Sequence, residues 1–302
     1  LDTGYTMITL DCSEYINNTT GLSKDDVDRM YMEIDKGTRE RLETRFLSGE
    51  FKLESGLKLM FSPEALRLNA VIYQKAIDFA IDIYNKMIKP CQRELDFEMS
   101  IDETATPTDP LAHFFVALQL REAGVDLYSV APRFCGEFQK GIDYIGDLSQ
   151  FRRELEAHQG IASHFGYKLS VHSGSDKFSV FPSIGEETKG HVHVKTAGTN
   201  WLEAVRVIIH RDPEFYRELH MFALDHLAEA RRYYHVTLDT GRIPDVSALK
   251  DDELDGLMQQ NDARQLMHIT YGVILQEKDE SGAYRFRDRI YRCLYGNETL
   301  YS

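Results

Sequence analysis

The sequence predicts an α/β fold, specifically a (β/α)8 TIM-type barrel of which this 302-residue chain holds about the last five βα units. Apolar segments with strand-like alternation are separated by helical segments, an order typical of parallel βα units. Each strand has one apolar and one polar face, whereas an open doubly wound sheet needs two apolar faces. Polar faces that converge inside a ring of strands favour the barrel.

The elements follow in order along the chain. A strand is predicted around Met7 to Leu10, and after a polar, mixed stretch a long helix starts at Ser62, with Pro63 at its first position. Further strands are predicted at 95–102, 126–131, 167–172 and 191–198. Helices are predicted at 110–124 and from Asp147, which forms a capping-box pattern with Gln150. From about 199 the chain is helical, so we expect residues 1–302 to be the carboxyl-terminal part of one barrel domain with a helical extension.

The composition of the chain indicates which classes of binding partner are unfavourable. A net charge of -14 and a pI near 5.3 argue against nucleic acid and anionic membranes. The four cysteines form no C-x-x-C pair, which indicates reduced thiols in a cytoplasmic protein. No apolar run approaches the roughly 20 residues that span a bilayer. The chain begins with neither Met nor a signal-peptide pattern, and we expect about three further βα units before Leu1.

The stretch "YKLSVHSGSDKF" indicates a binding site at the end of a strand. His172 lies on the polar face of the predicted strand, and the loop that follows supplies Ser173, Asp176 and Lys177. Hydroxyls, a carboxylate and an ammonium suit a polyhydroxylated, anionic ligand. The alternative, a neutral core histidine before an ordinary polar turn, stays open.

Two further groups of polar residues belong to predicted strands or follow them. Glu98 lies within a strand, where a carboxylate is costly to bury unless it is paired, metal-bound or protonated. Asp11 and Lys195 lie on the polar faces of the first and last strands, although Asp11 can also cap the following loop. In the loop of residues 131–147, Arg133 and Lys140 could clamp a carboxylate.

Other features of the sequence are less specific. Glu137 could be a metal ligand or an acid, or it could simply pair with Arg133. His268 could reach the barrel mouth only if its segment folds across it, and His220 and His226 are spaced as structural histidines. The sequence has no P-loop, no G-x-G-x-x-G after a strand and no G-x-S-x-G, so it shows no nucleotide cofactor.

Four long segments carry a family resemblance: "PRFCGEFQKGIDYIGD", "KLSVHSGSDKFSVFP", "HVKTAGTNWLEA" and "LMHITYG". They resemble the tagaturonate epimerase family, bacterial enzymes that interconvert tagaturonate and fructuronate. The resemblance implies a longer amino end, a barrel like that of metal-dependent ketose aldolases, and a divalent metal such as Zn, Mn, Ni or Fe. It implies Glu98 as catalytic acid/base and His172 as a metal ligand, with Glu137 as a second ligand.

The implied substrate, a hexuronate-derived keto acid, constrains the chemistry. The two epimers differ at the carbon β to the ketone, which enolisation cannot invert directly. Because no dinucleotide fingerprint is present, retro-aldol cleavage and aldol re-addition are favoured over transient oxidation. Two alternatives remain: a metal-dependent ketose aldolase or sugar isomerase on the same barrel, and a non-catalytic subunit that binds sugar acids.

Overall fold

The computed structural model describes residues 3–301, apart from the side chain of Thr199. The chain divides into two compact units. The first, here called the sheet unit, comprises Leu1–Gly136, Gly146–His172 and Val180–Val194. The second, here called the helical unit, comprises Glu137–Ile145, Ser173–Ser179 and Lys195–Ser302. The loops of residues 137–145 and 173–179 therefore group with the carboxyl-terminal helices, which the sequence did not predict.

The sheet unit alternates strands and helices. Its elements are β1 (Met7–Asp11), α1 (Lys24–Glu33), α2 (Lys36–Phe46), β2 (Phe51–Lys52), β3 (Lys58–Leu59), α3 (Pro63–Ile83), β4 (Asp96–Ile101), α4 (Pro110–Glu122), β5 (Ser129–Pro132), α5 (Leu148–Phe165), β6 (Lys168–Val171), α6 (Phe181–Thr188) and β7 (Val192–Val194). Short 3-10 and π segments lie at Ser13–Tyr15 and Tyr84–Ile88.

Five of these strands form one parallel sheet in the order β1-β4-β5-β6-β7. The order follows the chain without the reversal of a doubly wound sheet, so the prediction of a parallel α/β fold is confirmed. The register aligns Thr9 with Glu98 and Glu98 with Ser129, and between β6 and β7 it aligns Ser170 with His193. These polar side chains are therefore neighbours across the sheet.

In the central strands β4, β5 and β6, both faces of the sheet are largely buried, one by apolar and the other by polar side chains. The apolar face holds Phe97, Met99 and Val130, all fully buried, and burial of each side chain contributes about 2 kcal/mol to stability. On the polar face Glu98 and Ser129 are equally inaccessible. A buried polar face requires hydrogen-bond partners from within the protein, and these partners build the candidate site.

Several predicted boundaries need correction. The strand predicted at 126–131 begins only at Ser129, and the strand predicted at 191–198 covers only Val192–Val194. The polar stretch before Ser62 contains α1, α2 and the β2–β3 hairpin. Ser62 caps α3 as predicted. The capping box at Asp147 is incomplete, because the Gln150 side chain donates to Glu154 instead of returning to the cap.

The helical unit contains the remaining helices. They are α7 (Thr199–Arg211), α8 (Pro213–Asp225), α9 (Leu227–Ala230), α10 (Asn261–Ile269), α11 (Tyr271–Gln276), α12 (Arg287–Tyr295) and α13 (Glu298–Tyr301), with 3-10 segments at Thr240–Arg242 and Asp251–Gln259. Val205, Leu219, Leu266 and Phe286 belong to its buried apolar core. The Trp201 indole donates to the carbonyl of Met267 on α10. Among the helices described, none is long and apolar enough to cross a membrane.

Candidate active site

A buried carboxylate, Glu98 of β4, lies at the centre of the polar face and accepts hydrogen bonds on both oxygens. Oε1 accepts from the Thr9 hydroxyl at 3.0 Å and from His172 Nε2 at 2.9 Å. Oε2 accepts from the Ser129 hydroxyl at 2.6 Å and from His193 Nδ1 at 2.8 Å. The donors come from β1, β5, β7 and the residue after β6, so adjacent parallel strands assemble the cluster.

These partners fix the charge of Glu98. Burial alone would raise the pKa of the carboxyl group, but hydrogen bonds from His172, Ser129, Ser170 and His193 hold that pKa well below its usual value. Glu98 is therefore a carboxylate at neutral pH, and it is a hydrogen-bond acceptor only.

His172 lies between two carboxylates. Its Nε2 bonds Glu98, and its Nδ1 lies 3.2 Å from an oxygen of Asp102, which also accepts from the Ser100 hydroxyl. Burial raises the pKa of Asp102, but the hydrogen bond and charge of His172, together with hydrogen bonds from Ser100 and the backbone, outweigh burial and lower that pKa below its usual value. Because carboxylates only accept, both ring nitrogens carry a proton, and this assigns His172 as an imidazolium.

His193 of β7 has one ring nitrogen engaged with Glu98. Since Glu98 accepts, His193 Nδ1 is the donor, and in the neutral ring Nε2 then carries the lone pair. The Ser170 hydroxyl lies 3.0 Å from the same Nδ1. The His193 side chain is 25% exposed, whereas that of His172 is 8% exposed, so His193 is the more accessible of the two imidazoles.

Imidazoles and carboxylates, the side chains of this cluster, are also common ligands of transition metals. As these side chains stand, however, both nitrogens of His172 are bonded to carboxylates, and ligation would require one of those bonds to open. Among residues 3–301, no group of three or more His, Cys, Asp or Glu side chains could hold a metal ion in this arrangement. The cluster as it stands therefore does not fit a metal shell.

In the helical unit, Lys177 is fully buried. Its ammonium donates to the carbonyls of Gln139 at 2.7 Å, Ile142 at 2.6 Å and Ser175 at 2.9 Å. Burial lowers the pKa of Lys177 to about 8, against opposing contributions from Asp176 and Asp143. All three N–H groups of the ammonium donate to backbone carbonyls, so these contacts do not support the predicted contact between Lys177 and a substrate.

The other residues predicted in these two loops remain near one another. Lys140 Nζ lies 3.3 Å from the Ser173 hydroxyl. Asp176 accepts from Arg264 of α10 at 2.9 Å, and this pair was not predicted. Ser173 and Asp176 have φ values of 51° and 60°, an uncommon conformation for residues other than glycine. The Lys140 ammonium and the Ser173 hydroxyl, the two groups predicted to bind an anionic, hydroxylated ligand, therefore lie side by side.

His268 of α10 is 2% exposed and packs against both loop and helix. A Cβ at Gly141 would lie 3.0 Å from His268 Cβ, and one at Gly198 would lie 3.3 Å from His268 Nε2. Burial, with Lys140, Lys177 and Arg264 nearby, lowers the pKa of His268 to about 4. The ring is therefore neutral at pH 7.

The remaining predicted residues have local partners or are exposed. Asp11 is exposed and accepts from the backbone amide of Ser13 at 2.9 Å, the loop-capping role that the sequence left open. The Arg133 guanidinium donates to the Thr104 carbonyl. Lys195 is exposed, and Glu137 forms a backbone bridge with Ile145 while its carboxylate lies 4.0 Å from His235. Of the predicted site residues in the sheet unit, the structure brings Glu98 and His172 into contact.

Comparison with known proteins decides the family. The family model described as tagaturonate epimerase matches residues 1–302. The chain belongs to the tagaturonate epimerase family. A protein of this family from Thermotoga maritima, the tagaturonate/fructuronate epimerase, is 43% identical over 299 residues, which are 99% of this chain and 60% of that protein. The family resemblance expected from the four sequence segments is confirmed.

Solved structures from the same family agree. Crystal structures of fructuronate-tagaturonate epimerase UxaE from Cohnella laeviribosi, native and complexed with one glycerol, are 50% identical with a TM-score of 0.96. They cover 99% of this chain, which in turn covers 61% of theirs. The chain thus spans about three fifths of the length of these relatives.

Two residues of the Glu98 cluster, His193 and Asp102, are not among the residues predicted from the sequence. His193 has the same parity as Lys195 in the strand predicted at 191–198 but is not among the predicted site residues, although its alignment with Ser170 brings it to Glu98. Asp102 follows the strand that carries Glu98 and bonds the outer nitrogen of His172. Strand parity was the available signal for His193, since His193 lies on the polar face.

Proposed function

We propose that the full-length protein interconverts D-tagaturonate and D-fructuronate. Family membership and the names of the relatives support this substrate pair. The observation that carries the chemistry is the ionised, fully buried Glu98 hydrogen-bonded to two imidazoles, of which His193 keeps an exposed edge. Such a pair can take up and return a proton without leaving an unpaired charge.

We also propose that the five parallel strands are the last five of an eight-stranded TIM-type barrel. The strand order follows the chain, and the polar face is buried at its centre and carries the candidate catalytic residues, as expected for the interior of a barrel. The remaining strands would lie in the part of the longer protein outside this chain.

The proposed reaction is a retro-aldol cleavage followed by aldol addition. A base removes the proton from the hydroxyl on the inverting carbon, which becomes an aldehyde as its bond to the α carbon breaks. The electron pair of that bond forms an enediolate with the ketone. The aldehyde then presents its other face, the carbon–carbon bond re-forms, and the proton returns to the new hydroxyl. No oxidant or reductant is consumed.

His193 and Glu98 divide the acid/base work in this proposal. His193 Nε2 accepts the hydroxyl proton, while Nδ1 stays bonded to Glu98, whose negative charge stabilises the imidazolium. Glu98, the predicted acid/base, thus acts as partner to the imidazole. Lys140 and Arg133 are the proposed cations for the substrate carboxylate, and Ser173 is a proposed partner for a hydroxyl.

A divalent metal, with His172 and Glu137 as ligands, stays part of the proposal because imidazole and carboxylate oxygen suit Zn, Mn, Ni or Fe. The present arrangement of His172 does not fit ligation, because both ring nitrogens donate to carboxylates. Elemental analysis of the full-length protein, and activity before and after chelation, test this part directly.

The function is tested by incubating the full-length protein with tagaturonate in deuterated water and analysing the products. We expect fructuronate that carries no deuterium at the inverted carbon, because cleavage and re-addition leave that hydrogen in place. Deuterium at that carbon would overturn the retro-aldol route and leave the epimerase assignment intact. Released three-carbon fragments would instead favour the aldolase, and binding without turnover would favour a sugar-acid-binding subunit.

A further inference from the structure

The Lys177 ammonium joins two loops of the helical unit that are distant in sequence. Two of its acceptors, the carbonyls of Gln139 and Ile142, belong to residues 137–145, and the third, Ser175, belongs to its own loop, residues 173–179. The side chain is fully buried, so water does not compete for these bonds. Charge-assisted bonds from one ammonium to three carbonyls are strong and fix the distance between the two loops.

Each loop carries one member of the Lys140–Ser173 pair, whose polar atoms lie 3.3 Å apart. Lys140 directly follows Gln139, an acceptor of Lys177, and Ser173 lies two residues before Ser175, another acceptor. A shift of either acceptor therefore moves Lys140 or Ser173. The carbonyl acceptors cannot gain or lose a proton, so they give Lys177 no route for proton exchange.

We propose that Lys177 is a positioning residue, whose ammonium holds residues 137–145 against residues 173–179 and thereby sets the distance between Lys140 and Ser173. The consequence for catalysis rests on the proposed function of Lys140 and Ser173 in binding the keto acid. The consequence for the loops does not. Removal of the side chain would leave a carbonyl-lined space that accepts a small primary ammonium ion.

The test uses the full-length protein with Lys177→Ala, and propylammonium as the probe, because it replaces the part of the side chain that the substitution removes. We expect the KM for tagaturonate to rise on the order of tenfold to a hundredfold, with a smaller change in kcat. Millimolar propylammonium should return KM toward the wild-type value with a saturable dependence. Tetramethylammonium, which has charge but no N–H donor, should not.

Hydrogen exchange gives a measurement that needs no substrate. Amides of residues 137–145 and 173–179 should exchange faster in Lys177→Ala and slow again with propylammonium, whether or not the wild type epimerises tagaturonate. Lys36→Ala, at a side chain that is 80% exposed, is the matched control and should leave KM and exchange unchanged. Restoration by tetramethylammonium, or exchange that does not respond to propylammonium, would overturn the proposal.

Lys177→Met covers the case in which the alanine variant does not fold, since methionine keeps most of the volume and removes the charge. A raised KM in folded Lys177→Met supports the positioning role. A lowered melting temperature with unchanged KM would show a purely structural residue and overturn it. Failure of both variants to fold would do the same.

Discussion

Glu98 in the sheet unit and Lys177 in the helical unit are both fully buried charged side chains, but they differ in their partners. Glu98 is bonded by hydroxyls and by two imidazoles, whereas Lys177 is bonded by backbone carbonyls. Imidazoles gain and lose protons near neutral pH, and carbonyls do not. The first arrangement therefore suits proton transfer, and the second suits the fixing of a position.

Both arrangements solve the same energetic problem. An isolated buried charge costs many kcal/mol, so each group needs several hydrogen bonds to be stable in its charged form. Glu98 obtains them from side chains on neighbouring strands, and their positions depend on the strand register. Lys177 obtains them from the backbone of two loops. The kind of partner, more than the depth of burial, separates a candidate catalytic group from a structural one.

The largest expected effect is that of Glu98→Gln in the full-length protein. Glutamine keeps the shape but removes the negative charge that stabilises the His193 imidazolium, so kcat should fall by roughly 10² to 10⁴. The matched control is Glu94→Gln, at an exposed carboxylate just before the same strand, which should leave kcat within about twofold, since surface changes away from a site have small effects. Unchanged turnover per folded molecule, together with a lower melting temperature, would make Glu98 a structural group like Lys177.

His193→Asn addresses the same cluster from the other side. The asparagine amide can still donate to Glu98 in place of Nδ1, but Nε2 is lost, so kcat should fall by about 10² to 10³ with a small change in stability. His191→Asn, at an exposed position just before β7, serves as the control and should behave as wild type. A His193→Asn enzyme with wild-type kcat would return the proton transfer to Glu98 alone.

The sequence predicted which side chains lie on the polar face of the sheet better than it predicted which residues contact them. Side-chain alternation placed Glu98 and His172 on the polar face, because parity depends only on position within a strand. The contact between His193 and Glu98 depends on the register between β7 and the neighbouring strands. The alternation of side chains within one strand does not specify that register. Lys177 was predicted to face a ligand because its loop is polar. Two of its three carbonyl acceptors, Gln139 and Ile142, come from a loop 35 to 38 residues earlier, which no local pattern shows.

Helices without a strong apolar stripe were also missed. In α2 only Leu42 and Phe46 are buried, and in α1 only Tyr31 is buried, so the sequence "KGTRERLETRF" looked like a polar connection. Tertiary packing on α3 supports them. By contrast, Ser62 and Pro63 identified the start of α3 correctly, because capping is a local interaction.

A third buried group extends the comparison to two histidines that contact each other and a tyrosine. His113 Nδ1 lies 3.0 Å from His158 Nδ1, and His113 Nε2 lies 2.7 Å from the Tyr167 hydroxyl. Burial lowers the pKa of His158 to about 4 and lowers that of His113 well below its usual value. Both rings are therefore neutral at pH 7.

Acid should destabilise the protein through this pair. Below the usual histidine pKa of 6.5 the unfolded state binds more protons than the folded state, so stability is complete above pH 6.5 and falls as the pH drops toward about 4. The loss from His158 is on the order of 3 kcal/mol. Urea unfolding between pH 8 and 4 measures it. His158→Gln should flatten the dependence, His235→Gln at an exposed ring should not, and an unaltered slope in His158→Gln would contradict the assignment.

The smallest expected effect concerns the backbone beside the Lys177 acceptors. Gly141 precedes Ile142 and has a φ of 76°, and an added Cβ would lie 3.0 Å from His268 Cβ and 3.2 Å from the Arg264 carbonyl. Gly141→Ala therefore combines left-handed strain with a steric clash, and we expect it to cost about 2–3 kcal/mol of unfolding free energy. Gly166→Ala is the matched control, because Gly166 has a φ of 81° and an added Cβ would have nothing within 4 Å. It should cost only about 1 kcal/mol from strain alone.

Equal losses in the two variants, measured by denaturant unfolding, would mean that the loop moves away from α10 at little cost. The Lys177 bonds would then not hold the loop in place.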